Sequence, residues 1–378
     1  MIELGIERVE RVKERITGKR IGLVTNQTGC DAQLTPTQAI LERYGPVTAL
    51  FSPEHGFAGS VQAGGAVADR KKDRTPLYSL YGKHRRPTKG MLENVEILCF
   101  DIQDVGARFY TYLSTLREVM VAASIHGLPV IVFDRPNPVG GRISEGRLIK
   151  EGFTSFVGCA RIVERYGLTI GEFAAMIHEQ ERMDCPLTVV PMAGWKRKMD
   201  FVDTGLPWIL PSPNIPTADS CFTYLSTCLF EGTNVSEGRG TTKPFSFIGA
   251  PWIDPVILLG ELKQHDLPGV LFRVATFVPT FSKYRDTLCH GLELIVRNRS
   301  IFRPVRTGYT LLDAIRRTHS DFSFRKPSDS EHPYMIDLLT GDDFIRDEAF
   351  DLNEAIRRIE TDSRIHQAIK ERYHLYED

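Results

Sequence analysis

Glu54 and His55 stand side by side in "LFSPEHGFAG", directly after the apolar run "VTALF". A carboxyl group next to an imidazole is enough for acid–base work. The glutamate can protonate a leaving group, and the histidine can orient it or touch the substrate. The same pair can equally be ordinary solvated loop polarity. Its place favours chemistry: both residues leave the chain at the end of an apolar strand, where Pro53 and Gly56 fix a tight exit.

Three other stretches put polar side chains at equivalent places. "TNQTG" brings Asn26, "FDIQDVGARFYTY" brings Asp101, Gln103, Asp104, Arg108 and Tyr110, and "DRPNPVGG" brings Asp134, Arg135 and Asn137. Carboxylate and guanidinium groups make directional hydrogen bonds that suit sugar hydroxyls, although Asn-Pro and Gly-Gly are also turn chemistry. Farther along, "FEGTNVSEGRGTTKP" holds Glu231, Asn234, Glu237 and Arg239 among glycines. Glycines let backbone N–H groups approach a ligand, and an arginine can grip a carboxylate or phosphate bidentately. The stretch is neither a phosphate loop nor a dinucleotide fingerprint, because the G-x-x-x-x-G-K-[ST] and G-x-G-x-x-G spacings are absent. Glu54, His55, Asp101 and Asp104 could in principle share a metal. No H-E-x-x-H spacing supports that, so no metal and no cofactor is expected.

The elements that must position these residues alternate. Strand-like runs cover 20–26, 47–51, 96–102 and 129–136, and helical patterns cover 35–45, 87–95 and 110–127. Thr35, Pro36 and Gly45 read as the cap, first residue and stop of the first helix, and Gly127 as the stop of the third. The strands are continuous apolar runs rather than alternating ones, which is the pattern of a sheet covered on both faces. The inference is an α/β fold with a doubly wound, mostly parallel sheet. In such sheets ligands bind beyond the carboxyl ends of the strands, where the polar clusters above fall.

The middle of the chain has a helix at 168–182 with a Thr169/Glu172 capping box and a strand at 187–192. An irregular stretch follows, "LPWILPSPNIPT", whose four prolines exclude regular structure. Residues 218–234 read as a helix running into a short strand. From about 251 the pattern becomes two β-rich runs (269–281 and 289–298) and helices at 308–319 and 350–376. The expected division is residues 1–250 as the domain with the catalytic glutamate and 251–378 as a smaller α+β domain closing a cleft.

Bulk properties exclude several classes. A length of 378 residues suits two domains. With 42% hydrophobic and 25% charged residues, the chain can build a packed core and is not disordered. The net charge of −1 gives no footprint for nucleic acid or an anionic membrane. No apolar run is long enough to span a bilayer. "MIELGIERVERVKERITGKR" has no apolar signal core, so a cytoplasmic location is expected, although a secreted chain that had lost its signal would look the same. The seven cysteines are scattered without a C-x-x-C pair, consistent with reduced thiols.

The order of "GLVTNQTG", "LFSPEHGFAG", "FDIQDVGARFYTYLSTL", "DRPNPVGG", "LTIGE", "PSPNIPT", "FEGTNVSEGRGTTKPF" and "IDLLTG" resembles the exo-β-N-acetylmuramidase family (NamZ-like), over nearly the whole chain. The resemblance implies a Rossmann-like N-terminal domain, a smaller C-terminal domain and a site in the cleft between them. It also implies a glycosidase that releases terminal N-acetylmuramic acid from the non-reducing end of peptidoglycan fragments, with Glu54 as the catalytic residue. One departure is "VERYGLTIGE", where Tyr166 stands at a position at which the family pattern has His. The competing reading is a non-catalytic module that holds an anionic amino sugar or nucleotide in the Gly-rich stretch.

Overall fold

The computed structural model describes residues 2–62, 64–65, 70–72, 75–327 and 333–378. The central sheet is built from β1 (Ile21–Thr25), β2 (Val47–Ser52), β3 (Arg70–Lys72), β4 (Thr75–Ser79), β5 (Ile97–Asp101), β6 (Val130–Phe133) and β7 (Leu187–Val190). Their order is β3-β4-β2-β1-β5-β6-β7. Only β3, at the edge, runs antiparallel to its neighbour. Neither β3 nor β4 was expected from the sequence. Their segment is polar and short, and β4 gains its place by pairing Leu77 with Leu50 of β2.

The two faces of this sheet explain the continuous apolar runs. Ile21, Leu23, Leu50, Cys99 and Ile131 point into one core, under Ile6, Val9 and Trp195. Val24, Phe51, Leu98, Phe100 and Val132 point into the other, which continues through Phe222, Ile248 and Leu311 to Tyr373. The crossover helix Tyr112–His126 ends at Gly127, whose left-handed φ of 65° closes it. The helix Ile170–Gln180 starts at the Thr169/Glu172 capping box. The first expected helix shrinks to Thr37–Leu41, with Pro36 rather than Thr35 as its N-cap.

The smaller sheet is antiparallel: β8 (Phe247–Ala250), β9 (Val270–Phe277) and β10 (Cys289–Val296), in the order β8-β10-β9. The helix Asp219–Thr227 packs on the helix Pro304–Thr318 of the same part. Cys228–Gly232 follows as a 3-10 turn, not the short strand expected there. The material associated with the small sheet therefore begins near 219, before the boundary expected at 250.

Several strand-end residues read as substrate contacts serve this architecture instead. Asp101, fully buried, takes the Arg135 guanidinium at 2.5 and 3.0 Å and accepts from the Thr37 hydroxyl. Arg135 also donates to the Cys30 carbonyl at 2.6 Å. Asp134 accepts from Arg135 N, Thr169 Oγ1, Gly171 N and the Tyr376 hydroxyl, which brings the chain's last residues back onto the sheet. Burial pushes the Asp134 carboxyl up to about 7.

Breaking the Asp101–Arg135 pair leaves a charge buried without a partner. Arg135→Ala is expected to cost about 3–5 kcal/mol of stability, read as a lower urea midpoint at unchanged slope. A loss below about 1 kcal/mol, the range of exposed ion pairs, would remove this pair from its structural role.

Candidate active site

One cavity of about 810 Å³ opens among elements of both parts of the chain. The large sheet sends Glu54 and His55 from β2, and Tyr81 and Arg85 from the loop after β4. The turn into the helix Tyr112–His126 brings Phe109, Tyr110 and Thr111. The Pro-rich stretch gives Ser212 and Asn214, the Gly-rich stretch Glu231, Glu237 and Arg239, and the segment beyond β9 contributes Lys283.

Glu54 is 7% exposed, and neutral groups hold it. Its Oε1 accepts from Gly64 N at 3.0 Å and its Oε2 from the Thr111 hydroxyl at 2.8 Å. Tyr81 is the third: burial, the Glu54 charge and a hydrogen bond to Glu54 push its phenol up to about 12. No cation pairs with Glu54 among the described residues. The carboxyl is fixed in place, yet no neighbour neutralises it.

His55 has a φ of 71°, a conformation uncommon for a side chain of this size, and one that favours a site where neighbours over-determine the backbone. Its Nδ1 lies 2.7 Å from the Val61 carbonyl. A carbonyl only accepts, so Nδ1 carries the proton and Nε2 holds a free lone pair in the neutral ring. Burial lowers the imidazole below its ordinary value, against the pull of the Glu54 charge, so the neutral form dominates.

The opposite wall is a charge network. Arg239 donates to Glu231 Oε1 at 2.5 Å and pairs with Glu237 Oε1 at 3.2 Å, with its guanidinium 4.9 Å from the Phe245 ring centre. Lys283 holds Glu237 Oε2 at 2.8 Å and the carbonyls of Phe230 and Val235 at 2.7 Å each. Burial alone would raise the Glu237 carboxyl, but Lys283 and Arg239 outweigh it and keep it ionised. Between the charged walls stand Phe109, Tyr110, Tyr224 and Phe245 in edge-to-face contact, an apolar surface suited to the face of a sugar ring.

Two family models match the chain: exo-beta-N-acetylmuramidase NamZ, N-terminal, over residues 21–219, and its C-terminal counterpart over residues 222–376. The chain belongs to the NamZ family. A curated relative, the peptidoglycan beta-N-acetylmuramidase NamZ of Bacillus subtilis (strain 168), is 49% identical over 339 residues, 88% of this chain and 80% of the relative. Two solved DUF1343 family proteins of Bacteroides fragilis NCTC 9343 share the fold. One has a TM-score of 0.88 at 34% identity, the other 0.80 at 29%, and each comparison covers 100% of this chain and 99% of the other.

In this NamZ-family chain, the cavity gathers six of the residues singled out from the sequence: Glu54, His55, Tyr110, Glu231, Glu237 and Arg239. The other nine do not line it. Asp101, Asp134 and Arg135 form the buried contacts described above. Asn26 joins the Thr28 and Tyr112 hydroxyls, and Tyr112 in turn donates to the Pro211 carbonyl, so Asn26 supports the Pro-rich wall from behind. Gln103 donates to the Asp104 and Pro136 carbonyls. Asp104 accepts from Gly106 N and from the Tyr166 hydroxyl, so Tyr166 is a buried partner rather than a ligand contact. Burial pushes the Asp104 carboxyl up to about 6. Arg108 donates to the carbonyls of Arg147, Ile162 and Leu339. Asn137 bridges Leu168 O and Val139 N, and Asn234 bridges Asp321 O and Ser323 N. A polar side chain at a strand end is buried whether or not a ligand reaches it, and burial demands these partners.

Sequence reasoning missed Thr111, Tyr81, Gly64 and Lys283. Thr111 alone carried a signal, as the hydroxyl in "RFYTYL" ahead of a helix. Gly64 lies later in the loop that carries Glu54, and Tyr81 and Lys283 reach the cavity from other loops.

The neutral imidazole has a consequence for stability. The unfolded chain takes up a proton near the ordinary value of 6.5, and the folded chain does so only at lower pH. The contribution of His55 to stability is therefore full above that value and declines as pH falls below it. In His55→Asn, which tolerates positive φ, this decline is absent. The difference in urea midpoint between the two proteins should narrow from pH 8 to pH 5, and a constant difference would show that His55 is not buried neutral.

Proposed function

We propose that the protein is an exo-acting β-N-acetylmuramidase that releases terminal N-acetylmuramic acid from the non-reducing end of peptidoglycan fragments. The observation that carries this reading is Glu54, held by neutral donors in a cavity of sugar size on a NamZ-family fold. Hydrolysis of a glycoside needs a proton for the leaving oxygen and a second group to activate water or attack the anomeric carbon. Glu54 supplies the proton. Gly64, Thr111 and Tyr81 fix its direction, and His55 adjoins it.

The second role falls to Glu231 by elimination among the described cavity carboxylates. Glu237 is 2% exposed and both its oxygens are engaged by cations. Glu231 keeps a side chain 26% exposed, with Oε1 on Arg239 and no hydrogen-bond partner for Oε2 among the described residues. Arg239 thereby holds Glu231 in one orientation, as a base or nucleophile requires. Asp101 and Asp104 are sealed in the contacts given above.

Release of nitrophenol from an aryl β-N-acetylmuramide tests the activity, since a binding module releases none. Glu54→Gln is expected to lower kcat by about 10²–10⁴ on disaccharides, with a much smaller loss on the nitrophenyl substrate, whose leaving group departs unprotonated. Equal losses on both would make Glu54 the base or nucleophile instead. Glu231→Gln is expected to lose a comparable factor, about 10²–10⁴, on both substrates alike. Wild-type turnover by that variant would remove Glu231 from the reaction.

A further inference from the structure

The lining of the cavity carries more positive than negative charge. Among the described residues, five cations, Arg85, Arg239, Lys283, Arg325 and Lys326, face three carboxylates, Glu54, Glu231 and Glu237. Arg239 and Lys283 are spent on Glu231 and Glu237. Arg239 is therefore a poor reader of a substrate acid: its Nη2 and Nε atoms already lie on protein carboxylates. Arg85, Arg325 and Lys326 have no ion pair among the described residues, which leaves a surplus for an anion.

Arg85 differs from the other two. Its guanidinium lies over the Phe156 ring, 4.6 Å from the centre. Stacking fixes the plane of the group at low entropic cost and leaves its N–H edges available for a carboxylate. All three are exposed, but no ring or hydrogen bond holds the side chains of Arg325 and Lys326 among the described residues. Arg85 also sits four positions after Tyr81, on the loop that carries the Glu54 partner, and its charge is felt at the Tyr81 phenol. The anion it would hold lies in the same cavity as the proton donor.

We propose that Arg85, seated on Phe156, is the residue that binds the lactyl carboxylate of the terminal sugar and so selects a muramic acid over the uncharged glucosamine sugar. This rests on the muramidase reading above. Arg325 and Lys326 add to the field that draws the acid in but do not fix its position.

The test compares an aryl β-N-acetylmuramide with its lactyl methyl ester. Arg85→Ala is expected to lower kcat/KM on the acid by about 10- to 100-fold, the range of a hydrogen-bonded charge. The loss should lie mostly in KM, because the contact is equal in ground and transition states. On the ester, wild type and variant should agree within about threefold, since the contact is then gone from both. Arg86→Ala is the control: Arg86 pairs with Glu118 at 2.7 Å and lies outside the cavity lining. Equal losses on acid and ester, or no loss on the acid, would overturn the assignment. Calorimetric binding of N-acetylmuramic acid against N-acetylglucosamine reads the same contact without turnover. If wild type cleaves nothing but Arg85→Ala abolishes the preference for the acid sugar, the activity reading fails and this assignment stands. If wild type cleaves the muramide and Arg85→Ala leaves the preference intact, only this assignment fails.

Discussion

The buried pair of Asp101 and Arg135 ties the carboxyl edge of the sheet together. It joins the ends of β5 and β6, and through Thr37 and Cys30 it fixes the crossover that leaves β1. Such a pair adds little net stability over an apolar pair of the same size, because desolvating both charges offsets their attraction. Its effect is on geometry. A charge that cannot be solvated must find its partner, so the strand ends have one arrangement. The connections after β2, β4 and β5 that bring Glu54, Tyr81 and Thr111 to the cavity start from this edge, and their positions inherit that arrangement.

On that rigid edge the site separates two kinds of carboxylate. Glu54 is surrounded by neutral donors that aim it without neutralising it. Arg239 pairs with both Glu231 and Glu237, and Lys283 pairs with Glu237. Two carboxyl groups in one cavity can take different parts in a reaction only if their surroundings differ in this way. The network of Arg239, Lys283, Glu231 and Glu237 also fills the Gly-rich stretch from inside. Glycines there are needed where the backbone passes close to its neighbours: at Gly238, φ is 74° and an added Cβ would lie 2.8 Å from the Phe247 carbonyl.

The joining of the two parts of the chain is equally concrete. One apolar core runs from the large sheet into the helices Asp219–Thr227 and Pro304–Thr318, with Phe173, Phe222 and Leu311 in the same cluster. Tyr376 returns to Asp134, and Arg108 reaches the Leu339 carbonyl. The cavity walls are held against one another by packing as well as by polar contacts.

The sequence by itself determined the α/β class, because strands covered on both faces must be apolar at every position, and that pattern is local. It determined the helix ends at Thr169 and Gly127, because capping is satisfied by residues one turn apart. It determined that Glu54 and His55 leave the chain at the carboxyl end of β2. It did not determine which polar strand ends face a ligand. Asp101, Asp104, Arg108 and Asp134 have the same residue types as a binding site, and only the tertiary structure shows their hydrogen bonds used up inside. The partners of Glu54 were also illegible, since Thr111 lies 57 positions away and Gly64 ten positions along an irregular loop with no pattern to aim it back. A side chain's chemistry is set by what surrounds it, and in this fold the surroundings come from distant parts of the chain.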